Sequence, residues 1–174
     1  MTFRQFPRFD EQTGPTAARD ALLQNKREFG AIPEPIARYA SSPLMLGQAL
    51  AGLHALDNSS LRPLEREVLA MTMGRLNGCK FCLKLHRRLL AAQKAPAELI
   101  DALEAGSALA DQRLETLRDF ILDTVEHHGE VSPEVWTRFR EAGYTHEQAL
   151  DVVLGISVYT LTTFANRLTE SGEG

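Results

Sequence analysis

Cysteine is almost missing from this chain, with two residues in 174. So few exclude the disulfide framework that staples small secreted domains. Runs of Lys or Arg are missing too. Nineteen basic residues stand against 23 acidic ones, a net charge of -4, which argues against a nucleic-acid or anionic-membrane partner. The opening Met1-Thr2-Phe3-Arg4-Gln5-Phe6-Pro7 has no apolar run of the signal-peptide kind. The longest apolar stretch, Val152 to Ala165, is interrupted by Ser, Thr and Gly and is too short to span a bilayer. Strand-like alternation is nearly absent, and no repeat or low-complexity segment appears. What is left is a globular protein, 44% hydrophobic and 24% charged, long enough for one domain with a sizeable core. A cytoplasmic location is expected, and there a close cysteine pair is more often catalytic or metal-binding than a staple.

Helix signals fill the chain. Residues 1–15 carry Pro7, Gly14 and Pro15 and read as an extended arm, leaving 16–174 as a single all-α domain of seven or eight helices. Thr16 is placed to cap a helix ending at Phe29, before Gly30 and Pro33. Pro43 opens a second stretch, Leu44 to Leu56, and Pro63 a third. In the third, Val68 to Met73 is unbroken apolar residues and Thr, as in a helix buried on all sides. Asn77-Gly78 reads as a helix stop that uses the left-handed conformation. The next helix starts at or near Cys79 and reaches Gln93, followed by Pro96 to Ala105 and Asp111 to Glu126. Ser132-Pro133 caps and starts another, ending at Gly143. Thr145 and Gln148 form a capping box for a last helix, His146 to Leu168.

The two cysteines are not scattered. They lie in Asn77-Gly78-Cys79-Lys80-Phe81-Cys82, with His86 four residues on. Random placement would set two cysteines three apart only roughly 1% of the time, so the spacing asks for a chemical reason. On a helix turning roughly 100° per residue the three side chains share one stripe. An i, i+3 pair is close enough for a disulfide. The first turn favours a thiolate at Cys79, and His86 is placed to ionise Cys82. Spacing alone does not decide which thiol attacks. Three readings stand: two buried cysteines packing as small hydrophobes, a metal site, or a redox dithiol. Structural zinc normally takes four ligands from separated pairs, and no second Cys/His cluster exists here. A thioredoxin-like site needs a strand leading into the helix, and here a buried helix leads in.

Leu64-Glu65-Arg66-Glu67-Val68-Leu69, followed by Cys79, Cys82 and His86, resembles the alkylhydroperoxidase AhpD-like, peroxidase-related branch of the carboxymuconolactone decarboxylase superfamily. That family carries a Glu, an eleven-residue gap, Cys-x-x-Cys, three residues and a His. Glu67 fits the spacing and Glu65 does not. The likeness is densest from Pro43 to Ala105 and continues more loosely from Glu141 through Tyr144 and Thr145 to Asn166-Arg167. The resemblance implies an all-helical AhpD-like fold and thiol-dependent reduction of organic hydroperoxides, or disulfide exchange. It implies Cys82 as the attacking thiol, Cys79 as the resolving one, and Glu67 with His86 as a proton relay through a water. It also implies no cofactor, no metal, an external thiol or dithiol reductant, and a homo-oligomer, trimer or hexamer. One position departs from the pattern. Peroxidase members can carry a His directly before the second Cys, where this chain has Phe81, which removes a proton carrier and dries the site. Decarboxylase chemistry is not expected, because that branch generally lacks the cysteine pair. The alternative, of a different class, is a non-catalytic redox-responsive or metal-binding helical oligomer.

Taken alone, Glu67 reads as an acidic residue favoured by a helix N-terminus, and His54, His127 and His128 as residues near helix C-termini. His146 reads as an exposed first-turn residue, and Trp136 and Phe139 as core. The stretch Asp111 to Asp119, with Arg113, Glu115 and Arg118, reads as a solvated charged face. Tyr159, in the apolar last helix, is placed to line the pocket, though it reads first as core with a bonded hydroxyl. The apolar third and last helices suggest more buried surface than one small domain needs, which also points to self-association.

Overall fold

The computed structural model describes residues 6–171. Residues 1–5 of the expected arm, and 172–174, lie outside the described residues. Among the described residues there are nine α-helices and no strand: α1 Arg19–Phe29, α2 Glu34–Tyr39, α3 Pro43–Asp57, α4 Pro63–Leu76, α5 Lys80–Ala92, α6 Ala97–Ala105, α7 Gln112–Glu126, α8 Pro133–Glu141 and α9 His146–Leu168.

Helix α4 is the axis of the fold. Its residues Val68, Leu69, Ala70, Met71 and Met73 are each no more than 1% exposed, as an all-round apolar run requires. It is surrounded by α5, α7 and α9, with α6 and α3 closing the remaining sides. Truncating a side chain such as Leu69 to Ala would cost about 2–5 kcal/mol through lost burial and the cavity left behind. Close approach of α9 depends on Gly155, where an added Cβ would run into the Leu69 side chain. Glycine inside a helix costs roughly 1 kcal/mol against Ala, and here the tight crossing offsets it. α9 is long and apolar enough to cross a membrane by length and composition, being longer than the apolar stretch it contains. Nearly half of it is buried in the fold, where it packs on α3, α4 and α7 as a core helix.

A second, smaller apolar cluster joins Ala18, Leu22, Ile36, Tyr39, Ala40, Leu46 and Ala49. It ties the N-terminal segment and α1–α2 to α3. The segment before α1 is held by its backbone: the Phe9 N–H donates to the Ala37 carbonyl at 3.0 Å, and Arg38 Nη1 donates to the Phe6 carbonyl at 3.1 Å.

Several local expectations change. Thr16 caps nothing: it begins a 3-10 turn, Thr16–Ala18, and α1 starts after it with no side-chain cap. The short α2, with Pro33 at its N-cap and Pro35 in its first turn, is an added element. Ser132 stands at the N-cap of α8 without a side-chain cap, its hydroxyl turned instead to Asp123 Oδ1 at 3.4 Å. The Thr145–Gln148 capping box is present. Arg113 is no solvated charge: it pairs with buried Glu65 and lies 3.9 Å over the Tyr144 ring. Phe139 is fully buried, and Trp136 packs against it.

Candidate functional site

The site begins at the turn between α4 and α5. Asn77 closes α4 with φ at -88°, so only Gly78, at φ +63°, takes the left-handed conformation. Two contacts from α9 fix this turn. Arg167 Nη1 donates to the Asn77 carbonyl at 2.8 Å, and Asn77 Nδ2 donates to Thr163 Oγ1 at 2.8 Å. Cys79 then falls at the N-cap of α5 and not inside the helix, its Sγ accepting the Cys82 N–H at 3.2 Å. The sulfur sits where a Ser or Asp oxygen commonly sits at an N-cap.

Cys79 and Cys82 are joined in a disulfide, Cα to Cα 5.3 Å. They are 1% and 5% exposed, so a reactant must be small or the site must open. One turn after Cys82, His86 is also buried. Its Nδ1 lies 2.9 Å from Glu67 Oε2, and the other oxygen, Oε1, accepts from Gln93 Nε2 at 3.3 Å. Glu67 stands beyond the first turn of α4, so the hydrogen bonds and not the helix terminus account for its burial. With Nδ1 donating to the carboxylate, His86 Nε2 is left to take up or release a proton. Among the described residues His86 makes no hydrogen bond to either sulfur, so the Glu67–His86 pair and the dithiol are neighbours on α5 without a direct link.

Tyr159 of α9 meets the His86 ring edge-on, centroids 5.5 Å apart. Burial, and after it the Glu67 charge, pushes its phenol pKa well above the ordinary value. Its hydroxyl finds no hydrogen-bond partner among the described residues, contrary to the bonded hydroxyl expected. Of the residues not anticipated as site members, one reaches the sulfurs and a second holds it. Asn166 Nδ2 donates to Cys82 Sγ at 3.3 Å, and Tyr39 Oη lies 2.5 Å from Asn166 Oδ1. A signal for Asn166 exists in the sequence, since an amide within an apolar helix must find a partner. Gln93 at a helix end carries no such signal.

Phe81 is half-buried and brings no proton carrier to the site. Among the described residues no three His, Cys, Asp or Glu side chains gather as a metal site would need. Glu65, two residues before Glu67, faces away to Arg62 and Arg113. A surface cleft lined by Phe9, Asp10, Lys26 and Ala37 lies at the N-terminal segment, built from none of these residues.

The carboxymuconolactone decarboxylase family model matches residues 44–116, a span holding Glu67, Cys79, Cys82 and His86. Two solved structures share the fold across nearly the whole chain. One is described as an alkylhydroperoxidase AhpD core, an uncharacterized peroxidase-related protein from Ralstonia eutropha JMP134. It has a TM-score of 0.81 at 20% identity, covering 96% of this chain and 90% of that one. The other is an uncharacterized peroxidase-related protein from Silicibacter sp. TM1040, with a TM-score of 0.79 at 21% identity, covering 98% and 94%. No curated protein matches the sequence. The family match is confined to 44–116, under half of the chain, and holds the motif, while the helical fold around it is the one these AhpD-core and peroxidase-related structures have.

Proposed function

We propose that this protein is a thiol-dependent peroxidase or disulfide oxidoreductase acting on organic hydroperoxides, and that it works in the cytoplasm. The observation that carries the reading is the bridged Cys79–Cys82 pair one helical turn from a buried His86 bonded to Glu67. In the reduced protein the Cys82 thiolate attacks one peroxide oxygen. An S–O bond forms, the O–O bond breaks, and the alkoxide leaves with a proton delivered by His86 through a water. The Cys79 thiol then displaces water from the sulfenic acid and the disulfide closes. Two electrons pass from the two sulfurs to the peroxide, and an external thiol or dithiol returns them. Glu67 orients His86 and stabilises it when charged. The relay has two protein members, since Phe81 supplies none. No cofactor or metal enters this scheme.

The same reading has the protein acting as a homo-oligomer, a trimer or hexamer. Support comes from α9, where Leu150 and Val153, then Leu161, Phe164 and Leu168, stay exposed on either side of Ser157, apolar surface of the kind that marks an interface. Sedimentation velocity reads this directly, and a monomer at micromolar concentration would refute it.

Reduced protein mixed with an organic hydroperoxide should lose two thiols per chain within turnover time. Cys82→Ser should abolish turnover, and Cys79→Ser should trap a sulfenic acid on Cys82. A sulfenic acid trapped on Cys79 instead would reverse the two roles. Thiols that survive the peroxide on that timescale would leave the protein a redox-responsive helical oligomer without peroxidase activity.

A further inference from the structure

The side of the disulfide away from the motif is built by α9 and α2. Asn166 is 5% exposed, and its amide nitrogen spans both sulfurs, 3.3 Å from Cys82 Sγ and 3.8 Å from Cys79 Sγ. Its oxygen lies 2.5 Å from the Tyr39 hydroxyl, itself buried. That hydroxyl also lies 3.0 Å from the Thr162 carbonyl. That carbonyl keeps a second lone pair beside its ladder bond, so the phenol proton is shared between the two acceptors, with the amide oxygen the nearer. The orientation of the amide follows from the sulfurs as well. In the disulfide neither carries a proton, and a reversed amide would set oxygen lone pairs against sulfur lone pairs. Tyr39 belongs to the N-terminal apolar cluster, so the clamp is anchored outside the helices that carry the motif.

We infer that Asn166 is a further catalytic residue, holding negative charge on the Cys82 sulfur through its amide N–H, and that Tyr39 is the positioning residue that fixes this amide. The inference rests on Cys82 being the attacking thiol. It supplies what the Glu67–His86 pair does not, a direct donor to the sulfur. A hydrogen bond to a thiolate is charge-assisted and favours the ionised form, so it lowers the thiol pKa. Burial of Cys82 among apolar residues works in the other direction. Tyr39 stays a neutral donor throughout, because burial pushes its phenol pKa well above the ordinary value.

The other titratable groups on the surrounding elements are Cys79 at the N-cap, His86 on α5, Glu67 on α4 and Tyr159 on α9. The charges of α6 nearest α5, Asp101 and Glu104, are engaged with Arg87 at the surface. Arg167 is turned to the Asn77 carbonyl. None of these supplies a second donor to Cys82 Sγ.

The test is the pH profile of Cys82 alkylation by iodoacetamide in the fully reduced, full-length protein, read peptide by peptide so that Cys79 and Cys82 are separate. Asn166→Leu should move the Cys82 inflection up by about one to two pH units, the worth of a hydrogen bond to a charged group. Asn166→Asp should move it at least as far, since it puts an acceptor against the sulfur. Tyr39→Phe keeps the ring in its cluster and should shift Cys82 in the same direction by about half a unit. An Asn166→Leu inflection unchanged in a folded protein overturns the assignment. Should that variant not fold, an unchanged profile in Tyr39→Phe overturns it equally. A shifted inflection in a protein that ignores hydroperoxides would support the donor role while refuting the peroxidase reading, so the two fail separately.

Discussion

Glu65 and Glu67 stand two residues apart on one helix, both buried, and meet different partners. A separation of two residues turns a helix by roughly 200°, so the carboxylates leave α4 on different sides. Glu65 is 0% exposed and enclosed by cations: Arg62 Nη2 at 2.7 Å and Arg113. It also accepts the Arg62 backbone N–H at 2.8 Å. Glu67 has no cation that is always charged. It has an imidazole at 2.9 Å and a neutral amide. A carboxylate locked between guanidinium groups has no proton-exchanging partner, because Arg stays charged. A carboxylate bonded to histidine can share in proton movement. Burial is therefore no guide to function here, and the partner is.

The largest effect expected from breaking this contrast is on rate. Glu67→Gln keeps shape and hydrogen-bonding capacity but removes the charge that supports a protonated His86. Peroxide-driven thiol loss should slow by about 10²- to 10⁴-fold, the range for a general acid–base group. The unfolding midpoint should stay near that of the wild type. Stopped-flow thiol consumption and calorimetry measure the two. An unimpaired rate would remove Glu67 from the relay and leave it a structural residue like Glu65.

The converse substitution should act on stability alone. Glu65→Leu strands Arg113 and opens the first turn of α4, at a cost of about 2–4 kcal/mol. That is below the full penalty for breaking a buried pair, because Arg62 and Arg113 both reach solvent. Chemical denaturation should show the loss, with Cys82 reactivity unchanged at temperatures where the variant is folded. Lost thiol reactivity in a folded Glu65→Leu protein would break the comparison.

How far the sequence announces this arrangement depends on the distance over which each contact is made. The buried character of α4, the capping box at Thr145 and the Cys79–Cys82–His86 stripe are local patterns, legible from periodicity and spacing. Glu67 was legible only through a resemblance, since its partner His86 is 19 residues away. Contacts from farther leave no local trace of the partner: an amide in an apolar helix marks Asn166 as needing one without naming it. Asn166 meets Cys82 across 84 residues and Tyr39 across 127. Arg113, within a charged stretch that reads as solvated, finds Glu65 from 48 residues away. The short α2 is hidden for a related reason. Its prolines read as a break, and it is packing of Ile36 and Tyr39 into the N-terminal cluster that makes it a helix.

The smallest effect is also the sharpest comparison, because each carboxylate has a tyrosine reporting on it. Tyr144 and Tyr159 have phenol pKa values pushed up by burial first and then by a carboxylate charge, Glu65 for Tyr144 and Glu67 for Tyr159. Tyr39 is raised by burial alone, so all three tyrosines of the chain should resist ionisation. A phenol raised in the folded state stabilises the fold fully below its unfolded pKa of about 10. That contribution is lost as pH climbs from there through the folded value. Spectrophotometric titration should therefore show little phenolate near pH 10 in the native protein, and ionisation together with unfolding at higher pH. Glu67→Gln should let Tyr159 ionise earlier and leave Tyr144 unchanged, and Glu65→Gln should do the reverse. If both variants move the same tyrosine, the two carboxylates share one electrostatic environment, and their separation across α4 is not what divides structure from chemistry.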